Sequence, residues 1–159
     1  MNAARDPVDE DRARWIELGW GAPDAMACFM SINRAQKQLV DRVHAALRPH
    51  GVTIIENSCL INLAMSEDHR QPLSRIAERL LIGAGRCNYV INSLEERGLV
   101  RREPHPSDRR VTLAVATAAG LQLVADANRD LAAIRFGLGD VEPATLTAII
   151  DVLAHVRDQ

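Results

Sequence analysis

The stretch that most constrains this chain is residues 83–112, GAGRCNYVINSLEERGLVRREPHPSDRRVT. Across residues 84–97 the apolar side chains Cys87, Val90, Ile91 and Leu94 recur at three- and four-residue steps, which predicts an amphipathic helix with one face on a core. The opposite face carries Arg86, Asn88, Tyr89, Asn92 and Ser93, preceded by Gly85. Arginine and asparagine can pair bidentately with guanine and adenine edges in a major groove, and tyrosine can reach a phosphate or a thymine methyl. Gly98 then ends the helix by supplying a left-handed turn. Residues 99–103 and 111–115 read as two strands joined by a basic tip that holds Asp108, Arg109 and Arg110. Either piece alone reads more simply as a solvated helix or a charged turn. A helix followed directly by an arginine-tipped hairpin, however, is the pattern of a winged helix-turn-helix.

The residues upstream supply the rest of that motif. Thr53 followed by Glu56 fits a capping box at the start of a helix carrying Leu60, Ile61 and Leu63. Pro72 suits the first turn of a second helix, which presents Leu73, Ile76, Ala77, Leu80 and Leu81 inward and places Ser74 and Arg75 among the DNA-facing candidates. The turn at residues 82–85 leads into the helix at 84–97, and two short helices joined by a tight glycine-containing turn form a helix-turn-helix.

Composition decides what kind of surface this is. Aromatic residues make up only 3% of the 159 residues, which argues against a nucleic-acid surface built on base stacking. The net charge of −2 gives the chain no general attraction to DNA, so any such attraction comes from local clustering. Residues 83–116 do cluster: Arg86, Arg97, Arg101, Arg102, Arg109 and Arg110 stand against Glu95, Glu96, Glu103 and Asp108. The only lysine is Lys37, and arginine's fixed fork suits phosphate and guanine recognition. Cys28, Cys59 and Cys87 occur singly, without metal-ligand spacing, and the five histidines are scattered, so neither a metal nor a cofactor is expected. No apolar run approaches the roughly eighteen residues that span a bilayer, and the acidic N-terminus does not resemble a signal peptide, so a cytoplasmic location is expected.

Four further helices surround the motif. Residues 1–10 are polar and expected to be loose, and residues 11–18 predict a short helix with Trp15 and Leu18 on one side. Residues 24–48 predict a helix of about six turns, too long for one small core to bury, closed by Pro49 and Gly51. Thr117 caps a later helix that Gly137 and Gly139 interrupt, and Pro143 opens the last. The expected fold is mainly α with a small β-wing: an N-terminal extension at 1–22, a helical dimerisation region at 23–52 with 117–159, and a winged helix-turn-helix at 53–116. A two-fold symmetric homodimer would present two such readers to a palindromic operator.

At this point the order of elements, and LEERGLVRREPHPSDRRVTLAVATAAG from residues 94 to 120, resemble the multiple-antibiotic-resistance-regulator (MarR) family of winged-helix repressors. The matching positions are Asp108 and Arg110 in the wing, then Thr117 and Gly120 opening the next helix. The resemblance implies a regulator rather than an enzyme: a homodimeric repressor released from double-stranded DNA by a small ligand or an oxidant. It also implies that Arg109 probes the minor groove while Asp108 braces the wing through Arg110. The chain departs from the family at Gly83, Ala84 and Gly85, where serine or threonine caps are usual, which weakens the helix cap by a few tenths of a kcal/mol.

The N-terminal extension with Trp15 resembles the urate-responsive branch of that family. Ser58 and Val90 stand where that branch has an acidic residue and an arginine, which speaks against urate itself, and the Trp15 extension with Arg34 in an otherwise apolar stripe leads to the expectation of a small aromatic or phenolic effector. The candidate effector residues are Trp15, Met30, Arg34, Ser58 and Cys59, with Arg34 alternatively serving an intersubunit ion pair. Cys28 opens a second reading, a thiol-based redox sensor, because the peroxide-sensing branch has its reactive cysteine near the start of the equivalent helix. That branch flanks its cysteine with tyrosines, whereas the one tyrosine here is Tyr89, so Cys28 is expected to be buried and inert. Outside these classes stands a small enzyme or an interaction module without DNA binding, for which no nucleophile motif speaks.

Overall fold

The computed structural model describes residues 6–108 and 110–157. In chain order the elements are α1 (Pro7–Glu17), α2 (Pro23–Leu47), α3 (Ile54–Ala64), β1 (Arg70–Pro72), α4 (Leu73–Arg79), α5 (Ala84–Glu96), β2 (Val100–Pro104), β3 (Thr112–Ala116), α6 (Ala118–Ala133) and α7 (Pro143–Arg157). Two compact units meet inside α2, between Arg42 and Val43. Among the described residues no helix is long and apolar enough to cross a membrane.

In the first unit, α1 starts four residues earlier than expected. Asp6 takes an extended conformation and its side chain accepts from the Val8 amide at 2.9 Å, with Pro7 in the first turn, so the acidic segment caps a helix rather than remaining loose. The Trp15 ring meets Trp20 edge-on with centroids 4.8 Å apart, and Arg12 binds the Asp24 carboxylate at 2.8 Å.

The second unit is built around α3, α4 and α5. Leu60 and Leu63 of α3, Ile76 of α4, and Ile91 and Leu94 of α5 are fully buried together with Val100 of β2 and Ala114 of β3. Each of the larger side chains contributes roughly 1.5–3 kcal/mol through burial. Val124 of α6 joins the same cluster, so the core does not stop at the expected boundary at residue 116. A smaller cluster joins Leu47 and Val52 to Ala127 and Leu131 of α6.

The wing is a three-stranded antiparallel sheet in the order β1-β3-β2. β2 and β3 lie one residue later than the sequence predicts, and β1 is an addition. Its three residues pair Arg70 with Val115 and Pro72 with Leu113, tying the lead-in of α4 to the wing. Pro72 is therefore the last strand residue and the cap of α4 rather than its first helical residue. Thr53 and Glu56 form the expected capping box, Thr117 caps α6 by accepting from the Gly120 amide, and Gly98 takes a φ of 68° after α5.

Candidate nucleic-acid interface

The outer face of α5 is built by the inner one. With Cys87, Val90, Ile91 and Leu94 committed to the core, the 100° step of the helix leaves Arg86, Asn88, Tyr89 and Asn92 exposed, Tyr89 by 75%. Gly83 caps α5 without a side-chain hydrogen bond, as the glycine-rich entry predicts, and the positions of Gly83 and Gly85 open onto free space. The first amides of the helix are thus open to an anion. Ser74 and Arg75 are exposed on α4.

Three residues of the expected outer face are engaged within the chain. The Asn88 amide donates to the Ala84 carbonyl at 3.0 Å. The Asn92 side-chain oxygen accepts from Arg102 of β2 at 2.6 Å, and the same guanidinium pairs with Glu95 and reaches the Asn88 carbonyl. Glu95 also accepts from the Arg102 backbone amide at 3.0 Å. Asn92 is therefore held by the wing strand as well as presented by the helix. Ser93 points inward, donating to Glu56 of α3 at 2.7 Å, and so leaves the outer face. Arg102 is the residue that sequence reasoning missed in this role, because the charge count placed it simply among the basic residues of the hairpin.

The ion pairs sort the basic residues. Arg97 pairs with Glu56, Arg101 with Glu103 and Arg102 with Glu95, so three of the arginines counted toward a basic patch are locally neutralised. Arg75, Arg86 and Arg110 form no ion pair among the described residues, which leaves their guanidinium groups available to phosphate or base edges. At the wing tip Asp108 accepts from the backbone amide of Arg110 at 3.0 Å, so the brace expected through Arg110 is made to its main chain. Arg109 lies outside the described residues.

The other site candidates fall in two places. Trp15, Met30 and Arg34 belong to the first unit and Ser58 and Cys59 to the second. Trp15 and Met30 line a cleft of about 350 Å³ together with Trp20, Met26 and Phe29, and the Trp15 indole donates to the Gly21 carbonyl at 3.0 Å. Arg34 is exposed on α2. Ser58 is half-buried, while Cys59 is sealed in the core, where burial, with smaller contributions from Cys87 and Glu56, pushes its thiol up to about 12. Burial likewise raises Cys87. A second cleft of about 680 Å³, unmarked by any sequence motif, lies between the start of α3 and α5, with Ile55, Glu56, Arg86, Tyr89 and Ser93 on its walls.

Cys28 corrects an expectation. It is exposed in the chain rather than buried. It lies in the second turn of α2, beyond the first turn in which a helix N-terminus favours a thiolate.

The comparisons with known proteins fit this geometry. The MarR family model matches residues 50–111, which span α3 through the wing tip. The regulator MhqR of Bacillus subtilis is 33% identical over 109 residues, covering 69% of this chain and 74% of that protein. The chain belongs to the MarR family. It is thus a winged-helix transcriptional regulator rather than an enzyme, and the MarR match falls on the winged-helix core. The crystal structure of Sco5413, a MarR family regulator from Streptomyces coelicolor, is 34% identical with a TM-score of 0.78, covering 84% of this chain and 93% of its own. CouR from Rhodococcus jostii RHA1, solved with p-coumaroyl-CoA bound, is 28% identical with a TM-score of 0.70, covering 79% and 87%. CouR is also solved as a transcriptional repressor on a 23-mer DNA duplex.

Proposed function

We propose that this MarR regulator is a ligand-responsive repressor that binds a palindromic operator as a homodimer, with α5 in the major groove and the wing tip at the adjacent minor groove. The outer face of α5 carries the reading: Arg86, Asn88 and Tyr89 stand exposed on a helix whose opposite face is locked into the core. Arg75 and Ser74 of α4, the open amides at Gly85, and Arg110 contribute phosphate contacts, and Arg109 reaches into the minor groove. Asp108 holds the tip by its bond to the Arg110 amide.

The homodimer is supported by apolar surface that the chain leaves uncovered. α2 runs 25 residues, roughly 37 Å at about 1.5 Å per residue, yet buries only Leu47. α7 buries none of its side chains. Exposed apolar residues of this density mark an interaction surface, and a second copy is the partner that two-fold operator symmetry requires.

The effector reading rests on the aromatic cleft at Trp15 and Met30 and on the acyl-CoA ester that CouR binds. A small aromatic or phenolic molecule fits rings already arranged edge-on. Retardation of DNA from the chain's own promoter region tests the whole reading. Arg86→Ala and Asn88→Ala should each weaken specific binding by about 1–3 kcal/mol, and Arg109→Ala should flatten its salt dependence. An effector should raise the melting temperature and release the DNA together. Unchanged affinity in all three variants would sink the assignment. Release by peroxide that Cys28→Ser resists would favour the redox reading instead.

A further inference from the structure

Among the described residues Glu56 is the one charged side chain that is buried, where the other polar members are Asn57 and Asn62. A capping-box glutamate ordinarily turns back on its own helix and stays at the surface. Here one oxygen does that, accepting from the Thr53 amide at 2.8 Å and the Thr53 hydroxyl at 2.9 Å. The other oxygen leaves α3 altogether: the Ser93 hydroxyl donates to it at 2.7 Å, and the Arg97 guanidinium stands 3.5 Å away. Ser93 and Arg97 are four residues apart and so project from one side of α5 and its C-cap. A single carboxylate therefore links the first turn of α3 to the second half of α5.

The first half of α5 has little of its own to fix its rotation. Its entry at Gly83 has no side-chain cap, and the contacts of Val90, Ile91 and Leu94 are apolar and non-directional. Directional bonds from outside α5 come from the Leu73 carbonyl, which accepts from Cys87 at 3.4 Å, and from Arg102 on the side of Asn92 and Glu95, so Glu56 is the directional hold on the Ser93 and Arg97 side. Burial works against the Glu56 carboxylate, but the bonds from Thr53 and Ser93 and the charge of Arg97 outweigh it and hold its pKa below the usual value. The group therefore stays ionised with directional bonds on both oxygens.

We propose that Glu56 is a positioning residue for DNA recognition: through Ser93 and Arg97 it sets the rotation of α5 about its axis, and so where Arg86, Asn88 and Tyr89 are presented. This inference rests on the reading of α5 as the recognition helix. It also makes the start of α3 a lever on α5, since a shift of the capped turn pulls directly on Ser93.

Ser93→Ala separates the brace from the cap, because it leaves both Thr53 bonds to Glu56 intact. Glu56→Gln removes the charge while keeping the size. The full-length protein is used to select its best duplex from random-sequence DNA, and affinity for that duplex and for a scrambled one is measured well below the melting temperature. Each single variant should lose about tenfold in specific affinity, which is about 1.4 kcal/mol, with little change on the scrambled duplex. The double variant should lose clearly less than the sum of the two single losses, since both act on the one Glu56 carboxylate. Hydrogen exchange in the free protein should quicken across residues 93–97 in both single variants. Lower melting temperatures with unchanged specific affinity would overturn the proposal, because a merely structural network does that much and no more. Additive losses, or unchanged exchange in α5, would overturn it equally. Failure of the wild-type chain to select any duplex would instead strike the recognition-helix reading itself, and the exchange measurement would still decide whether Glu56 holds α5.

Discussion

Leu60, Leu63, Ile76, Ile91 and Leu94 of the winged-helix core are sealed from solvent, whereas Phe29 of α2 is 65% exposed and Ile150 and Val152 of α7 are 60% and 61% exposed. Both sets of residues come from helices with clear apolar periodicity. The difference is the number of partners each helix finds within one chain. α3, α4 and α5 meet one another, the sheet and α6, so their apolar stripes close on a common centre. α7 covers its stripe only in part, at Leu146 and Leu153, and buries none of its side chains among the described residues. The winged-helix core is thus complete in one chain, while α2 and α7 keep apolar surface free for association. A substitution should therefore act on folding in the first region and on assembly in the second.

The sharpest way to break the first half of that contrast is Gly120→Ala. A Cβ at residue 120 would lie 2.1 Å from the Leu99 carbonyl oxygen, a backbone atom that cannot swing aside as a side chain would. The approach is held in place by Thr117, whose amide donates to Leu99 at 3.1 Å and whose hydroxyl donates to the Gly98 carbonyl at 2.8 Å. Neither α6 nor the entry to β2 can yield without disturbing Leu60 and Val100. Overpacking of this kind costs about 3 kcal/mol or more, which lowers the melting temperature by roughly 6–12 °C in a chain of this size. Thermal unfolding followed by circular dichroism measures it, and an unchanged transition would show that α6 is not seated on the wing as described.

The second half is tested on the exposed helices. Ile150→Glu and Phe29→Glu add charge at side chains that stay mostly exposed in the chain, Phe29 at the edge of the Trp15 cleft, so unfolding of the isolated chain should change by no more than about 0.5 kcal/mol. Assembly should respond far more strongly. If these faces pair two copies, as proposed, light scattering should report loss of the dimer, and operator affinity should fall by about a hundredfold as the second half-site contact ceases to be intramolecular. Retention of a dimer by both variants would move the interface elsewhere.

A similar division, between contacts local in the chain and contacts made only by the fold, governs how much is legible in the sequence. The α5 stripe, the Thr53–Glu56 box, the Gly98 turn and the starts of α6 and α7 each depend on residues within a few positions of one another, and the chain folds accordingly. β1 is not legible because three residues are too few to show alternation, and its partner Val115 is far along the chain. The start of α1 is hidden because an acidic, proline-containing segment reads as loop until Asp6 is recognised as its cap. Within the interface, the exposed face of α5 is legible, but the long-range engagement of two of its members is not. Ser93 and Glu56 are 37 residues apart, and Asn92 and Arg102 are joined only through the fold. Cys28 goes against expectation because burial of a cysteine near a helix start depends on neighbours that the chain does not supply there.

Arg102 offers the finest probe, because it lies inside the closed region yet acts by polar contacts. Its guanidinium spans Glu95 and Asn92 of α5, and its amide also reaches Glu95, so β2 and α5 share one clasp. Arg102→Ala deletes the side-chain bonds and leaves the Arg102 amide bond to Glu95 in place. The half-exposed position of Glu95 limits the penalty on folding, since water can replace the lost partner. Stability should therefore fall by about 1 kcal/mol, well short of the effect at Gly120. Specific DNA affinity should fall by about tenfold, because Asn92 loses the contact that orients it and the wing is no longer tied to the helix it flanks. Asn92→Ala separates the two causes. If Asn92 reads a base directly, its removal should alter preference at one position of the selected duplex, whereas a purely bracing role would weaken all sequences alike and add nothing in the Arg102→Ala background.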